Sequence, residues 1–255
     1  MGTEGIAIQA HRLTRRFGDL VAVKGIDLEI KEGELFSLLG PNGAGKTTTI
    51  NMLCCLLKPS GGNAAVLGHD IVAGSYRVKS IIGVSPQETV LSERLSCWEN
   101  LEVMGRIHGL DSRTLARRSR QLLETVGLLN RAKDQVGKFS GGMKRRLSLA
   151  LALVHDPPVI FLDEPSLGLD PQARRAIWDY VHSLKGKKTI LLTTHYMEEA
   201  EALSDRIGII DEGKMVALGT LEELRKLPGG TMRTVTVGPS LEDVFLHLTG
   251  KELRE

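Results

Sequence analysis

Gly40-Pro41-Asn42-Gly43-Ala44-Gly45-Lys46-Thr47 follows the apolar run Leu35-Phe36-Ser37-Leu38-Leu39 and precedes Thr48-Thr49-Ile50-Asn51-Met52-Leu53. The first flank reads as a buried strand and the second as the opening turns of a helix, the context that a phosphate-binding loop needs. The spacing has a physical cause. Gly43 and Gly45 let the backbone curl so that successive N–H groups face one concavity, and the following helix adds its positive end. Lys46 reaches β and γ phosphates as a point charge, and the Thr47 hydroxyl can coordinate Mg²⁺. A glycine-rich turn without a ligand would explain neither the lysine nor the threonine.

Outward from that loop, composition bounds the rest. The 255 residues fit one large α/β domain with room for an inserted lobe, and 42% hydrophobic with 25% charged content is that of a folded globular chain. No window approaches the roughly 18 consecutive apolar residues of a membrane span, and Met1 to Ala10 lacks the basic lead and long apolar centre of a secretory leader. Cys54, Cys55 and Cys97 suit neither a disulfide framework nor a zinc site and are expected to be buried thiols. A formal charge of +2 gives no sign of a nucleic-acid surface, so no nucleic-acid partner is expected.

Upstream, Ile6-Ala7-Ile8, Leu20 to Val23 and the alternating Ile26 to Ile30 read as strands. Phe17 is an aromatic upstream of the loop that could stack on a nucleotide base, a contact worth about 1–3 kcal/mol, or could serve as core. Downstream, Lys58 to Asn63 is dense in turn formers, and Ala64 to Leu67 and Ile81 to Val84 read as further strands, with Gln87 just past the second. From Trp98 to Val126 the pattern is helical, with Trp98, Leu101, Met104 and Ile107 on one face and Leu115, Leu122 and Val126 on another helix.

Ser140-Gly141-Gly142-Met143 opens a helix that is apolar from Leu147 to Val154, a second place where a helix N-terminus could meet anionic oxygen or where a serine simply caps. Val159-Ile160-Phe161-Leu162-Asp163-Glu164 reads as a fully buried parallel strand presenting two acids at its carboxyl end, where open α/β sheets bind ligands. A helix begins near Pro171, and Thr189 to Thr193 is another buried strand with His195 just past its tip. Glycine turns near Gly213 and Gly219 lead to a short helix around Leu221 to Leu227, a break at Pro228-Gly229-Gly230, a strand-like Thr231 to Val237 and an amphipathic Leu241 to Leu246.

In order and spacing, these motifs resemble the ATP-binding cassette of ABC transporters over essentially the whole length. The resemblance makes Gly40 to Thr47 the Walker A loop, Phe17 the adenine-stacking aromatic in place of the usual Tyr, and Gln87 the glutamine that contacts Mg²⁺ and the attacking water. It makes Ser140-Gly141-Gly142-Met143 the signature, with Phe139 for the usual Leu and Met143 for the usual Gln; Val159 to Asp163 the Walker B strand; Glu164 the catalytic glutamate; Ser166 to Asp170 the D-loop; and His195 the switch histidine. The signature sets the chain apart from kinases and GTPases. The implied fold is a P-loop NTPase with a RecA-like mixed sheet, an N-terminal antiparallel β subdomain and a helical subdomain over about 88–158. Residues 220–255 would be a C-terminal extension of this single ATPase domain.

The implied site follows position by position. Glu164, His195, Lys46 and Gln87 would carry catalysis, and Thr47, Gln87 and Asp163 would hold Mg²⁺. ATP would be bound by Phe17, Gly40, Pro41, Asn42, Gly43, Ala44, Gly45, Lys46, Thr47, Thr48, Ser140, Gly141, Gly142 and Asp170, with Ser140 and Gly142 closing over the nucleotide of a second copy. Hence a head-to-tail ATP-sandwich homodimer is expected. With no span of its own, the cassette would work on a separate membrane permease and sit on the cytoplasmic face of the membrane. The runs Ser140 to Arg146, Thr194 to Ala200 and Ser240 to Phe245 look like the daunorubicin-resistance type of export cassette, which serves drugs, lipids, polysaccharides or ions. An importer cassette would share the ATP chemistry; a non-transport ABC ATPase would carry a coiled coil, a zinc hook or a second cassette, none of which the sequence contains.

Overall fold

The apolar runs assemble into two sheets and a helical lobe, described for residues 5–88 and 90–227 in a computed structural model. The first sheet is antiparallel, in the order β2-β1-β4-β5, from β1 (Ile6–Phe17), β2 (Leu20–Lys31), β4 (Gly61–Val66) and β5 (His69–Asp70). Its long hairpin absorbs the two short strands expected over 20–30 into one, because β1 pairs with β2 from Ile6↔Lys31 to Phe17↔Leu20, with bulges taking up the irregular stretches. Gly61, Gly62 and Asn63, expected only as turn formers, enter β4 because β1 offers them a free edge.

The second sheet runs β10-β9-β3-β8-β7-β6 and is parallel except where β10 turns back on β9. Its strands are β3 (Leu35–Leu39), β6 (Ile82–Ser85), β7 (Val159–Asp163), β8 (Thr189–Thr194), β9 (Arg206–Asp211) and β10 (Lys214–Gly219). Both faces are covered, so the inner strands are apolar at nearly every position, yet the period of two still sorts them. Ile160, Leu162, Ile190 and Leu192 join the core shared with the helical lobe. Phe36, Leu38, Phe161 and Leu191 join the core shared with the antiparallel sheet.

Two helices accompany the first half: α1 (Lys46–Leu53) leaves the loop after β3, and α2 (Ser75–Ile81) precedes β6. Between β6 and β7 lies the helical lobe, α3 (Cys97–Ile107), α4 (Ser112–Thr125) and α5 (Gly141–Leu153). A capping box of Ser96 and Glu99 starts α3, Asp111 caps α4 and Ser140 caps α5, so each helix begins where a side-chain oxygen can take an orphan amide. Leu101, Leu115 and Leu122 are buried as expected, whereas Ile107 is 72% exposed and faces away from the core. After β7 come α6 (Pro171–Leu184), α7 (Met197–Leu203) and α8 (Leu221–Arg225).

Cys54, at the C-cap of α1, and Cys97 are buried as expected, and Cys55 is half-buried. Among the described residues no helix is long and apolar enough to cross a membrane. The break at Pro228, the strand-like Thr231 to Val237 and the amphipathic Leu241 to Leu246, with the Ser240 to Phe245 run, lie outside the described residues.

Candidate functional site

The carboxyl ends of β3, β7 and β8 converge, and each delivers one part of the site. From β3 the chain enters the loop at Gly40, whose backbone N–H donates to Thr194 O at 3.2 Å. A Cβ at Gly40 would lie 2.1 Å from the Ile210 carbonyl, so only glycine lets the loop pass this close to β9. Gly45 has φ 102°, and a Cβ there would stand 2.7 Å from the Ala22 carbonyl on the β1–β2 hairpin. The left-handed turns at Gly43 (φ 82°) and Gly45 curl the loop into α1, whose first amides have no intrahelical acceptor.

Lys46, at the first turn of α1, is buried. Its Nζ donates to Gly40 O at 2.7 Å and Pro41 O at 3.1 Å, and pairs with Glu164 Oε1 at 3.1 Å. Next along the helix, Thr47 Oγ1 lies 3.2 Å from Asp163 Oδ1 at the end of β7. The Thr193 hydroxyl from β8 also donates to Asp163 Oδ1, so this carboxylate is fixed from two sides.

Glu164 follows with φ 53°, a left-handed backbone that costs a non-glycine residue about 1–2 kcal/mol. It persists because Glu164 N donates to both Thr193 O and Thr193 Oγ1 at 3.1 Å. The twist turns the side chain back toward the loop. There Oε1 meets Lys46, and Oε2 accepts from His195 Nδ1 at 2.6 Å. Lysine, carboxylate and imidazole thus form one chain in which the carboxylate is 4% exposed and the imidazole 27% exposed. One side of the group is dry and the other open to solvent.

The remaining expected positions stand outside this cluster. Phe17 ends β1, 45% exposed, with the Arg15 guanidinium 4.5 Å from its ring centroid. Gln87 is exposed and is tied in through its backbone carbonyl, which accepts from Arg145 Nη1 at 3.0 Å. Ser140 Oγ accepts from Met143 N at 3.3 Å, Gly141 faces open space, and Gly142 lies against Leu169. Asp170 is exposed and caps α6 by accepting from Ala173 N at 2.8 Å. Phe139 and Met143, the two departures from the usual signature, are both buried in the lobe's own core, and the signature's outer face stays serine and glycine.

Three residues were not singled out from the sequence. Thr193 holds Asp163, and its signal was a polar side chain at the tip of a buried parallel strand. Glu199 on α7 is fully buried and accepts from Ser166 Oγ at 2.6 Å and Trp178 Nε1 at 2.9 Å, joining the segment after His195 to that after Glu164. Arg145 is buried on α5 beneath both acids. It sits in a run of three basic residues, Lys144, Arg145 and Arg146, that spans about 200° of the helix, and the run alone does not show which of the three is buried.

The family model for ABC transporters matches residues 23–167, spanning the loop, the signature and the paired acids. The chain belongs to the ABC transporter family. It is 45% identical over 225 residues to the daunorubicin resistance ATP-binding protein DrrA3 of Streptomyces coeruleorubidus, covering 88% of this chain and 71% of that protein. It is 44% identical to the linearmycin resistance ATP-binding protein LnrL of Bacillus subtilis (strain 168), covering 94% of this chain and 77% of that one. A solved dimeric structure of the ATP-binding cassette MJ0796, in a post-hydrolysis state bound to ADP and phosphate, superposes with a TM-score of 0.77 at 27% identity, over 84% of this chain and 98% of that one. As an ABC cassette with this P-loop fold, the protein binds and hydrolyses ATP.

Proposed function

We propose that this cassette powers export through a separate membrane permease, working as an ATP-sandwich homodimer on the cytoplasmic face of the membrane. The observation that carries the catalytic part is the buried Lys46–Glu164–His195 chain beside Asp163 and Thr47. Lys46 and the amides of the loop bind the ATP phosphates. Glu164, aimed out of β7 by its left-handed backbone, orients or deprotonates the attacking water, a role whose loss costs about 10²–10⁴ in rate. His195 holds the γ phosphate and that water, and Gln87 closes on them from the start of the helical lobe. Phe17 stacks on the base.

Thr47 Oγ1 and Asp163 Oδ1 are hard oxygen donors from two elements, a set that fits Mg²⁺ completed by phosphate and water. Among the described residues no cluster of three or more His, Cys, Asp or Glu forms an all-protein metal cage, which agrees with a metal that arrives with its nucleotide. When bound, Mg²⁺ offsets the charge that develops on the transferring phosphoryl group.

The dimer is supported by the exposed Ser140-Gly141 face at the N-terminus of α5. A second copy brings that face to the first copy's ATP, and Asp170 lies at the same rim. Export is supported by the relatives, both named for resistance. The helical subdomain, about 88–158, and the segment after Gln87 are assigned to the permease, and residues 220–255 are read as a C-terminal extension of the same ATPase domain.

The test is a pull-down of the tagged Glu164→Gln chain from detergent-solubilised membranes of its host, with ATP and Mg²⁺. Recovery of a multi-span membrane protein of exporter type supports the proposal. Recovery of only soluble partners, nucleic acid or ribosomes overturns it.

A further inference from the structure

Five carbonyl oxygens converge on one buried guanidinium. Arg145 Nε donates to Pro165 O at 3.0 Å; Nη1 donates to Pro86 O and, at 3.0 Å, to Gln87 O; Nη2 donates to Asp163 O and, at 2.6 Å, to Glu164 O. A guanidinium has five N–H donors, and all five are used. Three of the acceptors are consecutive. Carbonyls 163, 164 and 165 can face one point because Glu164 takes its left-handed turn between them. The other two belong to the segment that leaves β6 and carries Gln87.

The side chain is 5% exposed, and no carboxylate oxygen is among its acceptors. A buried cation held by backbone dipoles is a costly way to gain stability, since an apolar side chain of similar volume commonly does as well. What the arrangement adds is geometry. A planar fork with five fixed donors holds two separate loops in one relation, which an apolar contact cannot do. Burial pushes the guanidinium pKa down, and the nearby charges of Asp163, Glu199 and Glu164 oppose that shift.

We infer that Arg145 is a positioning residue for ATP hydrolysis: from the first turns of the signature helix α5 it fixes the backbone that aims Glu164 and, with the same group, the backbone that carries Gln87. The inference rests on the proposed role of Glu164 as the hydrolytic carboxylate. Displacing a catalytic group by about 1 Å costs about 10²-fold in rate. All five of its hydrogen bonds go to the two loops that carry Glu164 and Gln87, so the task assigned to it is positioning.

The test compares steady-state phosphate release by Arg145→Lys, Arg145→Gln and Glu164→Gln in the full chain, with thermal melts of each. Lysine keeps the charge on one nitrogen that cannot span both loops, and glutamine keeps a planar donor without charge. For both Arg145 variants kcat should fall about 10–100-fold with KM for ATP within about threefold. A wild-type kcat per folded molecule with only a lowered Tm means a structural role and overturns the inference. If Glu164→Gln itself hydrolyses ATP at the wild-type rate, the reading of Glu164 fails instead. Should neither Arg145 variant fold, hydrogen exchange on the wild-type chain decides. Segments 86–88, 141–147 and 163–169 should open as one unit; independent opening of 141–147 overturns the inference.

Discussion

Lys46 Nζ and Glu164 Oε1 form a buried ion pair at 3.1 Å, and this pair sets the lysine's charge against the carboxylate before any phosphate arrives. ATP must compete with Glu164 for the ammonium and must also approach the carboxylate itself, which repels its γ phosphate. Glu164→Gln removes the repulsion and leaves Lys46 with the Gly40 and Pro41 carbonyls. Hydrolysis should fall about 10²–10⁴-fold while ATP binds several-fold tighter, read from phosphate release and a fluorescent-nucleotide titration. Weaker binding in the variant would mean that the pair helps to hold the loop open for phosphate.

Two glycines of the same loop should respond differently to one methyl group. At Gly40 a Cβ would sit 2.1 Å from the Ile210 carbonyl, so the loop or β9 must shift, and Gly40→Ala should cost about 2–3 kcal/mol with loss of ATP binding. Gly43 has φ 82° with nothing near its Cβ position, so Gly43→Ala meets only the left-handed backbone penalty of about 1–2 kcal/mol. Thermal melts of the two variants check the order; equal losses would show that close approach to β9 is not what fixes Gly40.

These glycines, Lys46, the paired acids and His195 were legible because each lies at a fixed offset from a strand whose apolar run is unmistakable. β7 needed only its four apolar residues and two acids. Features that depend on distant backbone were not legible. Arg145 finds its partners 18 to 59 residues away, all of them main-chain carbonyls that no side-chain pattern reveals. The helix Ser75–Ile81 went unseen because it buries only Val78 and so shows no period. The edge strand β10 exposes Val216 and Leu218, and its pairing with β9 was readable only as a glycine turn at Gly213.

Glu199 shows how a buried carboxylate can be retained at a cost. Burial raises its pKa, and the Ser166 hydroxyl and Trp178 indole both donate to one of its oxygens. The unfolded chain releases this proton at lower pH than the folded one, so Glu199 lowers stability as pH rises above the ordinary carboxylate value of about 4.5. Glu199→Gln keeps the acceptor and removes the titration, and should match or exceed the wild-type Tm at pH 8. Glu199→Ala leaves the hydroxyl and the indole N–H unpaired and should cost about 1–3 kcal/mol. A glutamine variant as unstable as the alanine one at pH 8 would show that the charge itself is needed.

The junction between the helical lobe and the sheet carries an acid-sensitive contact. His155, just after α5, stacks on His108 at the end of α3 with ring centroids 3.5 Å apart and planes 6° from parallel, and its Nε2 is 3.0 Å from Ile82 O on β6. Burial, then His108, holds its pKa down from 6.5 to about 4, with Arg118 adding to the effect and Asp156 opposing it. Its buried Nδ1 has no hydrogen-bond partner, so a second proton would enter without an acceptor. The sign follows: between pH 6.5 and about 4 the unfolded chain takes up this proton and the folded chain does not, so stability is full above that window and is lost as pH falls through it. The loss should come to about 1–2 kcal/mol once the ring's partial exposure is discounted. His155→Gln keeps a donor for Ile82 O and removes the titration, so its melting temperature should fall less between pH 7 and pH 4.5 than that of the wild type. An unchanged pH slope in the variant would place the acid sensitivity in the carboxylates instead.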